Sequence, residues 1–347
     1  MHSYSRPRGP IGAAALLAAA LVGLCASSAV AAPSYKAAGA VPLGDPPFWD
    51  YAVADPVTGR IYVAHADKVA VIDGRAGKLI GNVEGIAGGT HGIAISHATN
   101  QGFTDDGRNG LAVAFDLKTL AIKTRIPANT DADAIARDSA SDLIYVTEGD
   151  PGAVTVVDPK TDRVVTTINL GEKMEYAVGA DGAVFLNGVA NRDLMKIDPR
   201  SNRVVAHWPT PDCEAPHGLA VDARAHRAFM GCANAKMMVV DTRSGKVVAE
   251  LAIGRGNDAV AFDSKRARLF AANGRDGTVS VYQELTPDKY RPLDDIKTVV
   301  SGRTLTVDPE TGRLFVPGAD IDPKSPPGQR PRMVAGSARV LMFDPVK

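Results

Sequence analysis

Seven ionisable residues, Asp50, His91, Asp133, Glu175, His217, Asp258 and Arg303, follow one another at intervals of 41, 42, 42, 42, 41 and 45 residues. Each stands directly before a short apolar run. Four carboxylates, two imidazoles and a guanidinium brought to one place could take a cation, a metal or a polyhydroxylated ligand. No pair among them has a local ligand spacing such as His-x-x-x-His, so no metal is assigned. The competing reading is that these positions are polar because they are wet, and that they cap neighbouring loops. Trp49, next to Asp50, could stack on a sugar or a base, with burial as the alternative.

The runs behind these residues are Tyr51-Ala-Val-Ala-Asp55, Gly92-Ile-Ala-Ile-Ser96, Ala134-Ile-Ala-Arg-Asp138, Tyr176-Ala-Val-Gly-Ala180, Gly218-Leu-Ala-Val-Asp222, Ala259-Val-Ala-Phe-Asp263 and Thr304-Leu-Thr-Val-Asp308. Each opens a unit. A second strand carries an aromatic, as in Ile61-Tyr-Val, Ile144-Tyr-Val-Thr and Leu314-Phe-Val, and a third ends in Asp, as in Val154-Thr-Val-Val-Asp158. The Asp opens a turn, as in Asp198-Pro-Arg-Ser-Asn-Arg203, whose residues suit a hairpin into a Val-rich fourth strand. Seven four-stranded units at this period predict an all-β, seven-bladed β-propeller. The chain ends just after the third strand of the seventh unit, and Tyr35 to Leu43 is expected to complete that blade as its outer strand.

Ile144-Tyr-Val-Thr-Glu148 with Val154-Thr-Val-Val-Asp-Pro-Lys-Thr-Asp-Arg163 resembles the YVTN family of propeller repeat proteins, often called YncE-like. Glu148 replaces the eponymous Asn, which Asn273 supplies in Phe270-Ala-Ala-Asn273. The resemblance covers residues 35 to 347 and implies a secreted propeller without a shared catalytic constellation.

Strand order then sorts the loops. Those entering first strands, and those joining second to third strands, share one face, so the seven ionisable residues are expected around the mouth of the central channel. His91 and His217 fall on blades two and five and are expected across it, solvated rather than jointly coordinating. Trp208 is expected to pack; His65, His97, His207 and His226 show no partner pattern and receive no role. The stretch Gly318 to Ser337, long and without an evident strand, lies on the mouth face as a cover or a tether.

Arg6 and Arg8, the apolar run Ile11 to Cys25 and the small residues through Ala31 read as a secretory signal peptide, residues 1–31, ahead of a propeller over 32–347. Leu24 is too bulky for a lipidation site at Cys25. Cleavage would leave 37 basic and 39 acidic side chains, a net charge of −2 and no basic stripe, which argues against nucleic acid. No later stretch reaches the ~20 apolar residues of a membrane span. Cys213 and Cys232 are the two cysteines beyond that peptide; they fall on neighbouring strand ends of blade five and, in an oxidising compartment, are expected to pair.

Haem-c, nucleophile-elbow and phosphate-loop motifs are absent, so neither a catalytic residue nor a cofactor is assigned. The expectation is a periplasmic or extracellular, monomeric binding module for a small polar ligand, peptide or protein. The enzyme alternative is a metal-assisted lactonase-like hydrolase in the same funnel.

Overall fold

Alternating apolar residues make each recurring segment a strand, and the Asp-led turns fold successive strands into antiparallel hairpins. The computed structural model describes residues 1–5, 34–326, 329 and 331–346. Among the described residues there is no α-helix, only a 3-10 turn at Gly107–Asn109, and hence no helix long and apolar enough to cross a membrane. The expected signal peptide lies outside the described residues except for its first five.

Seven antiparallel sheets form the blades of a β-propeller. Blade four is typical, with Met174–Ala180, Ala183–Gly188, Asp193–Asp198 and Arg203–Pro209 side by side. The innermost strands Ala52–Ala54, Ile93–Ser96, Ala132–Arg137, Met174–Ala180, Pro216–Asp222, Asn257–Asp263 and Thr306–Val307 adjoin one another in a closed circle. Blade seven is completed as expected: Tyr35–Pro42 pairs antiparallel with Arg339–Pro345, from Tyr35 opposite Pro345 to Pro42 opposite Arg339.

One register is common to all blades. The third residue of each apolar run faces the second-strand aromatic, giving Val53–Tyr62, Ala94–Phe103, Ala136–Tyr145, Val178–Phe185, Ala220–Phe229, Ala261–Phe270 and Thr306–Phe315. All seven aromatics are fully buried, each packed against the next blade: Tyr145 meets Val184 and Leu186, and Phe315 meets Ile61 and Val63. At ~25 cal/mol per Å², burying such a ring contributes about 4–6 kcal/mol before the entropy of ordering it is counted. Adjacent blades are therefore locked at the same depth all round.

Two segments interrupt the four-strand pattern and are held by pairing. In blade six the polar stretch after Tyr282 is strand, Thr278–Thr286 turning back through Lys289–Pro292, with Ile296–Lys297 rejoining the same strand, so the fourth strand is split. In blade seven the described residues of the Gly318 to Ser337 insertion pair with one another through an Ile321–Met333 bridge and Asp322 N–Arg332 O and Val334 N–Asp320 O bonds. Trp208 stacks on Phe185 at 6.5 Å. Cys213 and Cys232 are disulfide-bonded, buried in the core between blades four and five.

Candidate functional site

The closed circle of inner strands delivers the seven ionisable residues to one end of the channel. Arg303 joins three of the blades: its Nε donates to Asp258 Oδ2 at 2.5 Å, and its Nη2 donates to Asp50 Oδ2 at 3.1 Å and to the Trp49 carbonyl at 2.9 Å. Asp50 and Asp258 thus share one cation. His217 Nε2 lies 3.5 Å from Glu175 Oε1, while its Nδ1 is 2.7 Å from the Ala215 carbonyl. That carbonyl accepts from Nδ1–H, and the ring turns Nε2 toward the Glu175 carboxylate.

Across from this group, His91 Nδ1 lies 2.6 Å from Asp105 Oδ2. Asp105 is fully buried, and its other oxygen accepts the backbone N–H groups of His91 and Gly92. Burial opposes a charge on His91, but the Asp105 hydrogen bond and the charges of Asp105, Asp133 and Asp50 outweigh it and push His91 up to about 9. Burial likewise raises Asp105, against the pull of His91.

The carboxylates move upward for a common reason. Burial raises Asp50 to about 6, with Arg303 pulling it down and Asp258 pushing it up. Asp133 is pushed well above the carboxylate range by burial and then by Asp50, with Glu175 adding to it against His91. Glu175 is raised by burial, with His217 opposing and Asp258 reinforcing. Five acidic side chains, Asp105 included, crowd against one arginine and two histidines. The mouth is an electronegative cup.

Its floor is aromatic. Tyr51 and Tyr176, first residues of their apolar runs, approach to 4.4 Å between ring centroids and cluster with Ala134 and Ala259 from two further blades. Tyr51 is raised well above its ordinary value by burial and by the four carboxylates Asp258, Asp133, Asp50 and Glu175. The tyrosine pair separates the cup from the opposite mouth, where Val53, Ile93, Ile135 and Tyr176 line a cavity of about 380 Å³.

One side of the cup opens into a cavity of about 490 Å³ between His217, Asp258 and Arg303 and a wall made by Phe48, Val300, Ile321 and Met333. Ile321 and Met333 belong to the blade-seven insertion, which therefore covers part of the mouth. Its hold is specific: Gly336 N donates to Asp45 Oδ1 at 2.6 Å and Arg339 Nη2 to Asp320 Oδ1 at 2.7 Å. Trp49 follows the burial alternative rather than the stacking one. It is only 1% exposed, packed under the insertion against Ala319 and Ala338, and has no open face for a sugar or base.

With the site in view, comparison with known proteins locates the chain. It is 27% identical to the uncharacterized protein YncE of Salmonella typhimurium (strain LT2) over 219 residues, 58% of this chain and 62% of that protein. The YncE protein of Salmonella typhi is also 27% identical, over 155 residues, 40% of this chain and 44% of the relative. The match thus spans less than two thirds of either relative. The chain is a seven-bladed β-propeller similar in sequence to YncE. No protein-family model matches it. The fold is shared more widely: a chain of Kuenenia stuttgartiensis hydrazine synthase aligns with TM-score 0.69 and 15% identity over 79% of this chain and 93% of that one. A chain of a mitotic checkpoint complex aligns with TM-score 0.72 and 12% identity over 96% and 99%.

In this propeller, ligand atoms of Glu175, His217 and Asp258 lie within 4.8 Å of one another, close enough to surround a divalent ion. Asp105, Tyr51 and Tyr176 were not singled out from sequence as site residues, and they orient His91 and close the floor. The two tyrosines did carry a signal, being bulky where other blades have Gly, Ala or Thr. His91 and His217 are each held by a carboxylate rather than simply solvated.

Proposed function

We propose that this propeller is an exported binding module whose mouth captures a small ligand with a positively charged group on an apolar body. The observation that carries this reading is the convergence of Asp50, Asp133, Glu175 and Asp258 above Tyr51 and Tyr176 with Arg303 as the lone permanent cation among the seven. An entering ammonium group would relieve repulsion among carboxylates and meet aromatic rings beneath, while the apolar part lies against Phe48, Val300 and Met333. The buried disulfide supports export to an oxidising compartment, in keeping with residues 1–31 acting as a signal peptide.

Calorimetric titration with 2-phenylethylamine and with 3-phenylpropionate at pH 7.5 tests it. The amine binds and the acid does not, and Asp133→Asn or Glu175→Gln weakens the amine by about tenfold or more. Equal binding of both, or indifference to both substitutions, removes the proposal. Amine binding weakens as pH falls toward the Asp50 value of about 6, because protonation discharges the cup.

The Glu175–His217–Asp258 cluster supports a second reading, metal-assisted hydrolysis of lactones. Turnover that requires added divalent metal and is lost in His217→Gln would favour it; no turnover with metal present excludes it.

A further inference from the structure

Away from the mouth ring, blade four brings two acidic side chains together with little to balance them. Glu172 lies in the loop entering the blade, Asp193 opens its third strand and His207 stands on its fourth, opposite Met195. Both carboxylates are more than nine-tenths buried, with Glu172 8% and Asp193 4% exposed. Among the described residues His207 is their one ion-pair partner, its Nδ1 2.9 Å from Asp193 Oδ2. The nearby cations are engaged elsewhere: Lys173 pairs with Asp150 at 2.9 Å, and Arg192 donates to the Pro211 carbonyl at 3.3 Å.

The oxygens are not equally provided for. Glu172 accepts from the Asn191 backbone N–H at 3.0 Å and from its side-chain amide at 2.7 Å. Asp193 Oδ1 is buried with no hydrogen-bond partner. Gly188 shows where that oxygen points, since a Cβ there would overlap Asp193 Oδ1 and come within 2.9 Å of Glu172 Oε2. Two carboxylate oxygens from different segments therefore converge on one notch that only glycine leaves open. Burial raises the Asp193 carboxyl, with His207 opposing and the Glu172 charge adding to it.

Ligand atoms of Glu172, Asp193 and His207 all lie within 4.8 Å of one another. Donors arranged about one ion at 2.0–2.3 Å are separated by up to about 4.6 Å, so small adjustments suffice. We propose that Glu172, Asp193 and His207 form a binding site for a divalent transition-metal ion on the rim of blade four. Two carboxylates and one imidazole suit zinc or manganese better than magnesium, which prefers an all-oxygen shell. The half-exposed His207 leaves a solvent side for entry and for water ligands. Such an ion would give Asp193 Oδ1 its missing partner and tie the loop that leads to Glu175 onto two strands of the blade.

Zinc titration of the chelator-stripped full chain, followed by calorimetry, tests this apart from any metal at the mouth. The unsubstituted protein takes up an equivalent that Asp193→Asn and His207→Ala each weaken by at least about tenfold, whereas Glu175→Gln retains it. His207→Ala alters an exposed side chain and guards against a folding artefact in the buried variant. Anomalous scattering at the zinc edge locates the ion beside these three residues. No zinc uptake, uptake unchanged in both blade-four variants, or an anomalous peak confined to the mouth overturns the proposal.

Discussion

His91 takes its properties from a buried residue outside the repeating ring of seven, Asp105. Asp105 holds Nδ1 from behind, so the imidazole is fixed with Nε2 toward the channel and its proton is stabilised up to about 9. Asp105→Asn keeps the shape and an oxygen for the backbone N–H groups but removes the charge. His91 then titrates at least about two units lower, as followed by NMR of its ring protons; an unmoved value would assign the shift to Asp133 and Asp50 instead. The sign for stability follows from the same shift. A histidine raised from about 6.5 contributes stability in full below that value and loses it as pH rises through about 9. Asp133 acts in the opposite sense at neutral pH, since its ionised form is disfavoured by burial and by Asp50. Asp133→Asn should stabilise the fold by about 1 kcal/mol at pH 7.5 in urea melts while weakening amine binding, so stability and function diverge at one residue. A less stable variant would show that Asp133 is satisfied as it stands.

At the scale of elements, the turns obey one rule that the repeats already displayed. Four residues past Asp55, Ser96, Asp138, Asp222, Asp263 and Asp308 the backbone turns left-handed, at Gly59, Asn100, Asp142, His226, Ala267 and Gly312. Alanine is the poorest fit among these, with φ of +50° at Ala267. Ala267→Gly relieves ~1 kcal/mol of Cβ strain and gives back part of it in unfolded-chain entropy, for a net gain of about 0.5 kcal/mol in denaturant melts. A loss would mean that the alanine methyl packs more usefully than its conformation costs. The strands, their order and the mouth positions were legible because they recur. What stayed hidden does not recur: the position two past each second-strand aromatic holds Ala64, Asp105, Thr147, Asn187, Gly231, Ala272 and Pro317, so nothing marked Asp105 as the support of His91. The choice between stacking and burial for Trp49 stayed open because its burial depends on an insertion present in a single blade. The Glu172–Asp193–His207 cluster drew on loop, third strand and fourth strand together, a combination that no linear spacing announces.

For the whole molecule, the closing strand decides whether seven sheets become one ring. Tyr35–Pro42 covers the outer edge of Arg339–Pro345, and Tyr35 ties it to two blades: its ring meets Phe270 edge-on at 5.5 Å and its hydroxyl donates to the Gly312 carbonyl at 3.1 Å. Tyr35 is 5% exposed, so Tyr35→Ala removes a buried ring and a long-range hydrogen bond together and should cost about 3–4 kcal/mol. Deleting residues 34–43 goes further, because it bares the backbone N–H and C=O groups of Arg339–Pro345 along a full strand edge. Bare edges recruit other strands, so light scattering should find the shortened chain self-associated. A synthetic peptide of residues 34–43, added in excess, should return it to the mass of the intact protein by refilling the edge. Were the shortened chain to keep the intact protein's mass and melting temperature without the peptide, the ring would be held by packing between blades, and the N-terminal strand would be a cover rather than a clasp.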